Sequence, residues 1–216
     1  MERHLEQLIE SYRNVGMVEF EIRFGIHHNK FFDTDISKKN YESLKKTFVD
    51  CKEWVQTYDT LLNDYFDKNK LRLTIDEHSY EFCIKKKQLF RETWKIADAP
   101  LDFRISVASE EYHQPSEFDN GSINYSRSKE RLTFQTRYYN FDLTLLSQNS
   151  GDDNDDDSNE KYEFEIELNF ETMNADQRSS AAIAKSILHK VYGVLSIIEP
   201  GEYDKKPHSM INYVKR

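Results

Sequence analysis

At 216 residues the chain is long enough to bury a substantial core as one domain. Its net charge of −9 is uneven: Asp152, Asp153, Asp155, Asp156, Asp157 and Glu160 supply six of the negatives and the remainder is nearly balanced, so an anionic ligand is not excluded. Two lone cysteines, Cys51 and Cys83, have no zinc-site spacing and read as buried thiols of an intracellular, reducing compartment, while the absence of any run near 18 consecutive apolar residues argues against a membrane partner.

Leu5, Leu8, Ile9 and Tyr12 recur at helical spacing and predict a short amphipathic helix. In the strand that follows, Val18, Phe20, Ile22 and Phe24 alternate with Glu19, Glu21 and Arg23, which puts the charges together on one face. Asp35 or Ser37 can cap a helix from Lys38 to about Asp50. Strands are expected near 53–66, 70–76, 80–87, 89–97, 101–112, 126–137, 139–147 and 161–171, separated by turn-like breaks. The acidic tract 147–160 reads as a disordered loop; it lacks the closing Glu and fixed Gly of an EF-hand. The last strand repeats the pattern of the first, with Glu163, Glu165 and Glu167 alternating with Phe164, Ile166 and Leu168. Asn174 or Asp176 should open a helix carrying Ile183, Ile187, Leu188, Val191 and Leu195, packed on the apolar outer face of a strand.

Strands without a βαβ rhythm, and helices mostly at the ends, predict an α+β fold on an antiparallel sheet, here a single domain over 1–216. Carboxylates at i and i+2 lie only about 7 Å apart and repel by roughly 2 kcal/mol at an effective dielectric of 20, so something positive should sit among them. The middle strands supply it. Arg72 and Thr74 share a face, as do Lys85 and Lys87; Arg91, Thr93 and Lys95; Arg104, Ser106 and Glu110; Arg127, Lys129, Arg131 and Thr133; Asp142 and Thr144. Rolling that face inward closes a barrel with a hydrophilic tunnel, a floor of Glu19, Glu21, Glu163, Glu165 and Glu167, and basic walls. Oxygen-only ligands favour Mg²⁺ or Mn²⁺, cationic walls select a polyphosphate, and a phosphohydrolase follows.

The segments Val18–Phe24, Asp102–Ser106, Arg127–Arg131, Asp142–Thr144 and Glu163–Glu167, in that order, resemble the metal-dependent RNA 5′-triphosphatases of mRNA capping, members of the triphosphate tunnel metalloenzymes. The compact form is most similar to the N-terminal domain of giant-virus, mimivirus-type capping enzymes. The resemblance implies an eight-stranded antiparallel tunnel and a viral protein acting in the host cytoplasm or virion. It implies Glu19, Glu21 and Glu167 as metal ligands, with Glu163 and Glu165 holding metal-bound water or neighbouring basic side chains. Lys129 and Arg131 would grip the γ-phosphate; Arg72, Lys85, Lys87, Arg104 and Arg127 would complete the lining; Asp142 and Thr144 would organise the tunnel. Glu110 would orient the attacking water. Asn140 stands where family members often carry Arg.

The implied reaction removes the γ-phosphate from 5′-triphosphate RNA in the first step of capping. Guanylyltransferase and methyltransferase modules would lie in the same longer chain or in partners, because no Lys-x-Asp-Gly motif is present. Composition leaves two alternatives open: another tunnel enzyme acting on inorganic triphosphate or free nucleotides, and a non-catalytic binding module.

Overall fold

The computed structural model describes residues 1–148, 159–201 and 213–215. Helix α1 (Glu2–Tyr12) buries Leu5, Leu8 and Ile9, and β1 (Val18–His27) follows it. A short strand, β2 (Phe32–Asp33), folds back on the end of β1, with Ile26 opposite Asp33. Helix α2 (Lys38–Asp50) is capped by Ser37, whose hydroxyl accepts from the Asn40 N–H at 3.5 Å.

The chain then runs through β3 (Gln56–Asp67), β4 (Leu71–Asp76), β5 (Glu81–Ile96), β6 (Asp102–His113), β7 (Ile123–Gln135), β8 (Tyr139–Gln148) and β9 (Asn159–Leu168). Helices α3 (Phe170–Ala175) and α4 (Ser180–Ile198) follow, and β10 (Tyr213–Lys215) lies against the end of β5. Eight strands close a ring in the order β1-β6-β5-β4-β3-β7-β8-β9-β1, every pairing antiparallel. The eight-stranded barrel is therefore present, with β2 and β10 as additions.

The barrel is polar inside and apolar outside. Phe20, Ile22 and Phe24 of β1, Phe103, Ile105 and Val107 of β6, and Phe164, Ile166 and Leu168 of β9 form one buried cluster with residues of α1, α2 and α4. Phe48 of α2 meets Phe134, Phe141 and Trp54 edge-on at centroid separations of 5.3, 5.8 and 5.3 Å, an arrangement aromatic quadrupoles favour. Helix α4 is long and apolar enough to cross a membrane by length and composition, yet its Ile183, Ala184, Ile187, Val191 and Leu195 are fully buried in this cluster. As expected, it covers the outer face of the sheet.

Three expectations about elements need correction. The segments 80–87 and 89–97 are one 16-residue strand, β5, carrying a bulge between Gln88 and Phe90. At the edges of the tract 147–160, Ser147 pairs with Glu160 and Gln148 with Asn159, so the β8–β9 hairpin reaches further than its composition suggests; 149–158 lie outside the described residues. Asn174 opens no helix but sits inside α3, where its side chain accepts from Arg13 at 2.6 and 2.9 Å. Gln177, at φ 51°, breaks the run and Ser179 caps α4 instead.

Candidate active site

Alternation on β1 and β9 sends one face of each strand into the lumen, and the pairing of the two strands sets Glu21 opposite Glu167 and Arg23 opposite Glu165. Glu21 is 5% and Glu165 6% exposed, so both carboxylates are taken from water and must be met by cations. Arg23 Nη2 lies 3.1 Å from Glu21 and 2.9 Å from Glu165. Lys86 of β5 is ion-paired with Glu19 and reaches Glu21 at 3.7 Å.

The opposite wall is built by β7, β8 and β3. Arg131 spans three groups: Nη2 donates to Glu165 at 2.7 Å, Nε to Thr144 at 3.2 Å, and Nη1 lies 3.1 Å from Asp142. Asp142 also accepts from the Thr133 hydroxyl at 2.6 Å. Beneath this wall, fully buried Asp64 accepts from Arg127 Nε at 3.0 Å and Thr74 at 2.7 Å and is ion-paired with Lys129. Arg72 faces Glu110 at 3.8 Å. A cavity of about 260 Å³ lies between the walls, lined among others by Glu19, Lys86, Lys129, Arg131, Glu165 and Glu167. It shares Glu19, Glu110, Tyr112 and Glu167 with a wider chamber of about 600 Å³ at one mouth, which Asn140 also lines.

These surroundings split the carboxylates into two kinds. Burial opposes the charge on Glu165, but Arg23 and Arg131 outweigh it and hold the group at about 2. Asp64 is likewise brought to about 2 by Lys129 and Arg127 against burial. Glu167 is pushed up to about 8 by burial and by the charges of Glu19, Asp142 and Glu165. Burial and Glu21 also raise Glu19, although Lys86 opposes them. On the cationic side, burial and Arg127 bring Lys129 down to about 8, and burial with Arg23 and Arg91 brings Arg104 to about 10. One floor thus holds ionised carboxylates locked to arginines beside others that have too little positive charge around them.

Among the described residues no three carboxylates converge on one coordination point, because the floor side chains turn toward Lys86 and Arg23. The donor chemistry nevertheless suits a hard divalent cation. Glu19 Oε2 is buried with the Lys86 ammonium against it and Glu165 Oε2 with Arg23 Nη2, so a divalent cation would replace or join these charges, and Glu167 carries an excess of negative neighbours. Guanidinium Nε atoms of Arg23, Arg72 and Arg104 are unbonded and turned from water, ready for an oxyanion.

The bulge in β5 shifts the alternation by one. Lys86 therefore points into the tunnel, while Lys85 and Lys87, expected in the lining, are exposed on the outside. Beyond the bulge the phase reverts, and Arg91 and Thr93 pair with inward Ser106 and Arg104. Arg104 lies beside Arg23 in register and outside the set that lines the cavity. Glu163 lines the cavity but is hydrogen-bonded by the Thr34 hydroxyl. Arg72, Arg127, Lys129, Arg131, Thr144, Glu19, Glu110, Glu163, Glu165 and Glu167 all line the cavity, and Glu21 and Asp142 are buried against its lining residues. Asp64, Lys86 and Arg23 are tunnel residues that the sequence reading left out of its site.

A family model for the mRNA capping enzyme, beta chain, an mRNA triphosphatase, matches residues 1–192. The chain belongs to this family. The triphosphatase superimposes on the S. pombe RNA triphosphatase Pct1 with a TM-score of 0.72 at 19% identity, covering 91% of each chain. Pct1 in complex with the Spt5 CTD gives 0.70 at 17% identity, covering 91% of this chain and 92% of that one. The RNA triphosphatase domain of a trifunctional mimivirus mRNA capping enzyme gives 0.62 at 14% identity, covering 91% of this chain and 95% of that one. No curated protein matches the chain significantly in sequence. The overlays confirm the tunnel fold, and family membership makes the protein an RNA 5′-triphosphatase of mRNA capping.

Proposed function

We propose that the triphosphatase hydrolyses the γ-phosphoryl of a 5′-triphosphate RNA end with Mg²⁺ or Mn²⁺, leaving a 5′-diphosphate end and orthophosphate. The observation that carries this reading is a carboxylate floor with surplus charge facing buried cations across a cavity of about 260 Å³. Glu19, Glu21 and Glu167 would hold the metal, which when bound neutralises phosphate oxygens. Lys129 and Arg131 bind the γ-phosphate oxygens and stabilise charge as the bond breaks; Arg72 and Arg127 continue the grip along the chain. Glu165, Asp142 and Thr144 orient Arg131. Glu110, at the boundary between tunnel and chamber, orients the attacking water.

The 5′-diphosphate product is the acceptor that a guanylyltransferase needs, so such a module and a methyltransferase act next, as partners or within a longer chain. An intracellular site of action goes with this reading.

Divalent-metal-dependent phosphate release from triphosphate-ended RNA should exceed release from inorganic triphosphate. Glu19→Ala and Lys86→Ala should each lose on the order of 10²-fold or more in rate. Lys85→Ala and Lys87→Ala should stay near wild type. Equal activity in Glu19→Ala and wild type would refute the reading.

Glu167 also predicts how the metal-free protein responds to pH. Its folded value of about 8 lies above the ordinary 4.5, so between these limits the folded state holds a proton that the unfolded chain has lost. That contribution is complete below about pH 4.5 and disappears as pH rises through 8. Urea unfolding in the presence of a chelator should show stability falling from pH 5 to pH 8, by on the order of 3 kcal/mol, and Glu167→Gln should flatten the curve.

A further inference from the structure

The two ends of the tunnel differ. One opens into the wide chamber at Glu110 and Tyr112, whereas the other is crossed by the segment that returns from β1 through β2. Gly25 is the next position on the inward face of β1 after Glu21 and Arg23, and its missing side chain is the reason the segment fits. A Cβ there would stand 2.0 Å from the Asp33 carbonyl oxygen and 2.9 Å from the Phe32 ring. The returning chain therefore occupies the space where the lumen would continue.

Its side chains cover inward-facing residues at that end. The Phe32 ring packs 4.7 Å from the Arg104 guanidinium, and the Thr34 hydroxyl is hydrogen-bonded to Glu163. The segment is anchored independently of the ring: Ile36 is buried, and its N–H donates to the Tyr162 carbonyl at 2.8 Å. Lys161 adds an ion pair to Asp33 at 3.6 Å. A polyanion advancing beyond the Arg23 and Arg104 guanidiniums would meet an aromatic ring and a hydroxyl already engaged, neither of which replaces the water it sheds.

We propose that Phe32 is the end stop of the tunnel and thereby selects the bond that is cleaved. It rests on the triphosphatase reading above. With the far end closed, the terminal phosphate halts at the Lys129–Arg131 grip, and water adds to the γ-phosphorus while the β-phosphate leaves. If the chain could slide one phosphate deeper, the same machinery would act on the β-phosphorus. The α–β bond would then break, with water consumed, leaving a 5′-monophosphate end and pyrophosphate.

The test is product analysis on 5′-triphosphate RNA labelled in the β- and γ-phosphates. Wild type should release orthophosphate only. Phe32→Ala should raise the pyrophosphate share about tenfold or more above background, the scale at which removing bulk from a pocket changes selectivity. Phe32→Leu should fall between the two, and Phe32→Trp should release orthophosphate alone. A structural role for Phe32 would change rate but not the ratio of the two products, so an unchanged ratio in Phe32→Ala and Phe32→Leu overturns the end stop. Failure of wild type to release any orthophosphate would instead overturn the underlying function.

Discussion

Replacing Arg131 with lysine should lower kcat for γ-phosphate release by on the order of 10³-fold, measured in single-turnover assays, as expected when a planar guanidinium that stabilises transferring phosphoryl charge is lost. Charge alone does not explain this residue. Arg131 engages Glu165, Asp142 and Thr144 at once, so its orientation is fixed before substrate arrives. A lysine ammonium carries its three donors on a single atom, so it cannot span Glu165, Asp142 and a phosphate from the separate positions that the guanidinium fork provides. The loss should fall mainly on kcat rather than KM, because the contact strengthens as charge develops on the departing phosphoryl group. A loss below about tenfold, or one confined to KM, would show that Arg131 binds substrate without stabilising the transition state.

Much of this architecture could be read from the chain because charge alternation is unusually regular in three strands. On β1, β7 and β9 three charged residues in succession hold alternate positions (Glu19, Glu21, Arg23; Arg127, Lys129, Arg131; Glu163, Glu165, Glu167), and the structure turns those residues into one lumen, as expected. The reading failed where periodicity was interrupted or unsupported. Lys85, Lys86 and Lys87 are consecutive, so their own sequence does not say which one faces inward. The sequence reading ends one strand at 87 and starts another at 89, whereas β5 runs through both with a bulge between Gln88 and Phe90 that reverses the alternation. Asp64 gave no signal because its inward neighbours, Leu62 and Phe66, are apolar and the flanking Asn63 is polar. Its importance appears only when β3 pairs with β7 and places it opposite Arg127. The end stop is a tertiary event as well. Phe32 looks like an ordinary turn residue until β2 folds over Gly25.

Asp64 is the residue whose removal should most weaken the fold. It has no solvent exposure and neutralises Arg127 and Lys129 while accepting from Thr74. Asp64→Ala leaves two buried or half-buried cations facing each other, and breaking such a pair typically costs about 3–5 kcal/mol. Urea unfolding at neutral pH should register a loss of that size; a loss under about 1 kcal/mol would mean that the cations relax into solvent. Asp64→Asn separates charge from shape. It keeps an acceptor for Thr74 but abandons the cations, so most of the loss should persist. The vacated positive charge should then welcome an anion more strongly than in wild type. Added tripolyphosphate should raise the stability of Asp64→Asn by more than it raises wild type, where a ligand at 100 times its Kd contributes about 2.7 kcal/mol. The same wall would thus be stabilised by an internal carboxylate in the resting protein and by phosphate oxygens when the tunnel is filled, which is the exchange that a buried lysine held at about 8 beside an arginine is built to make.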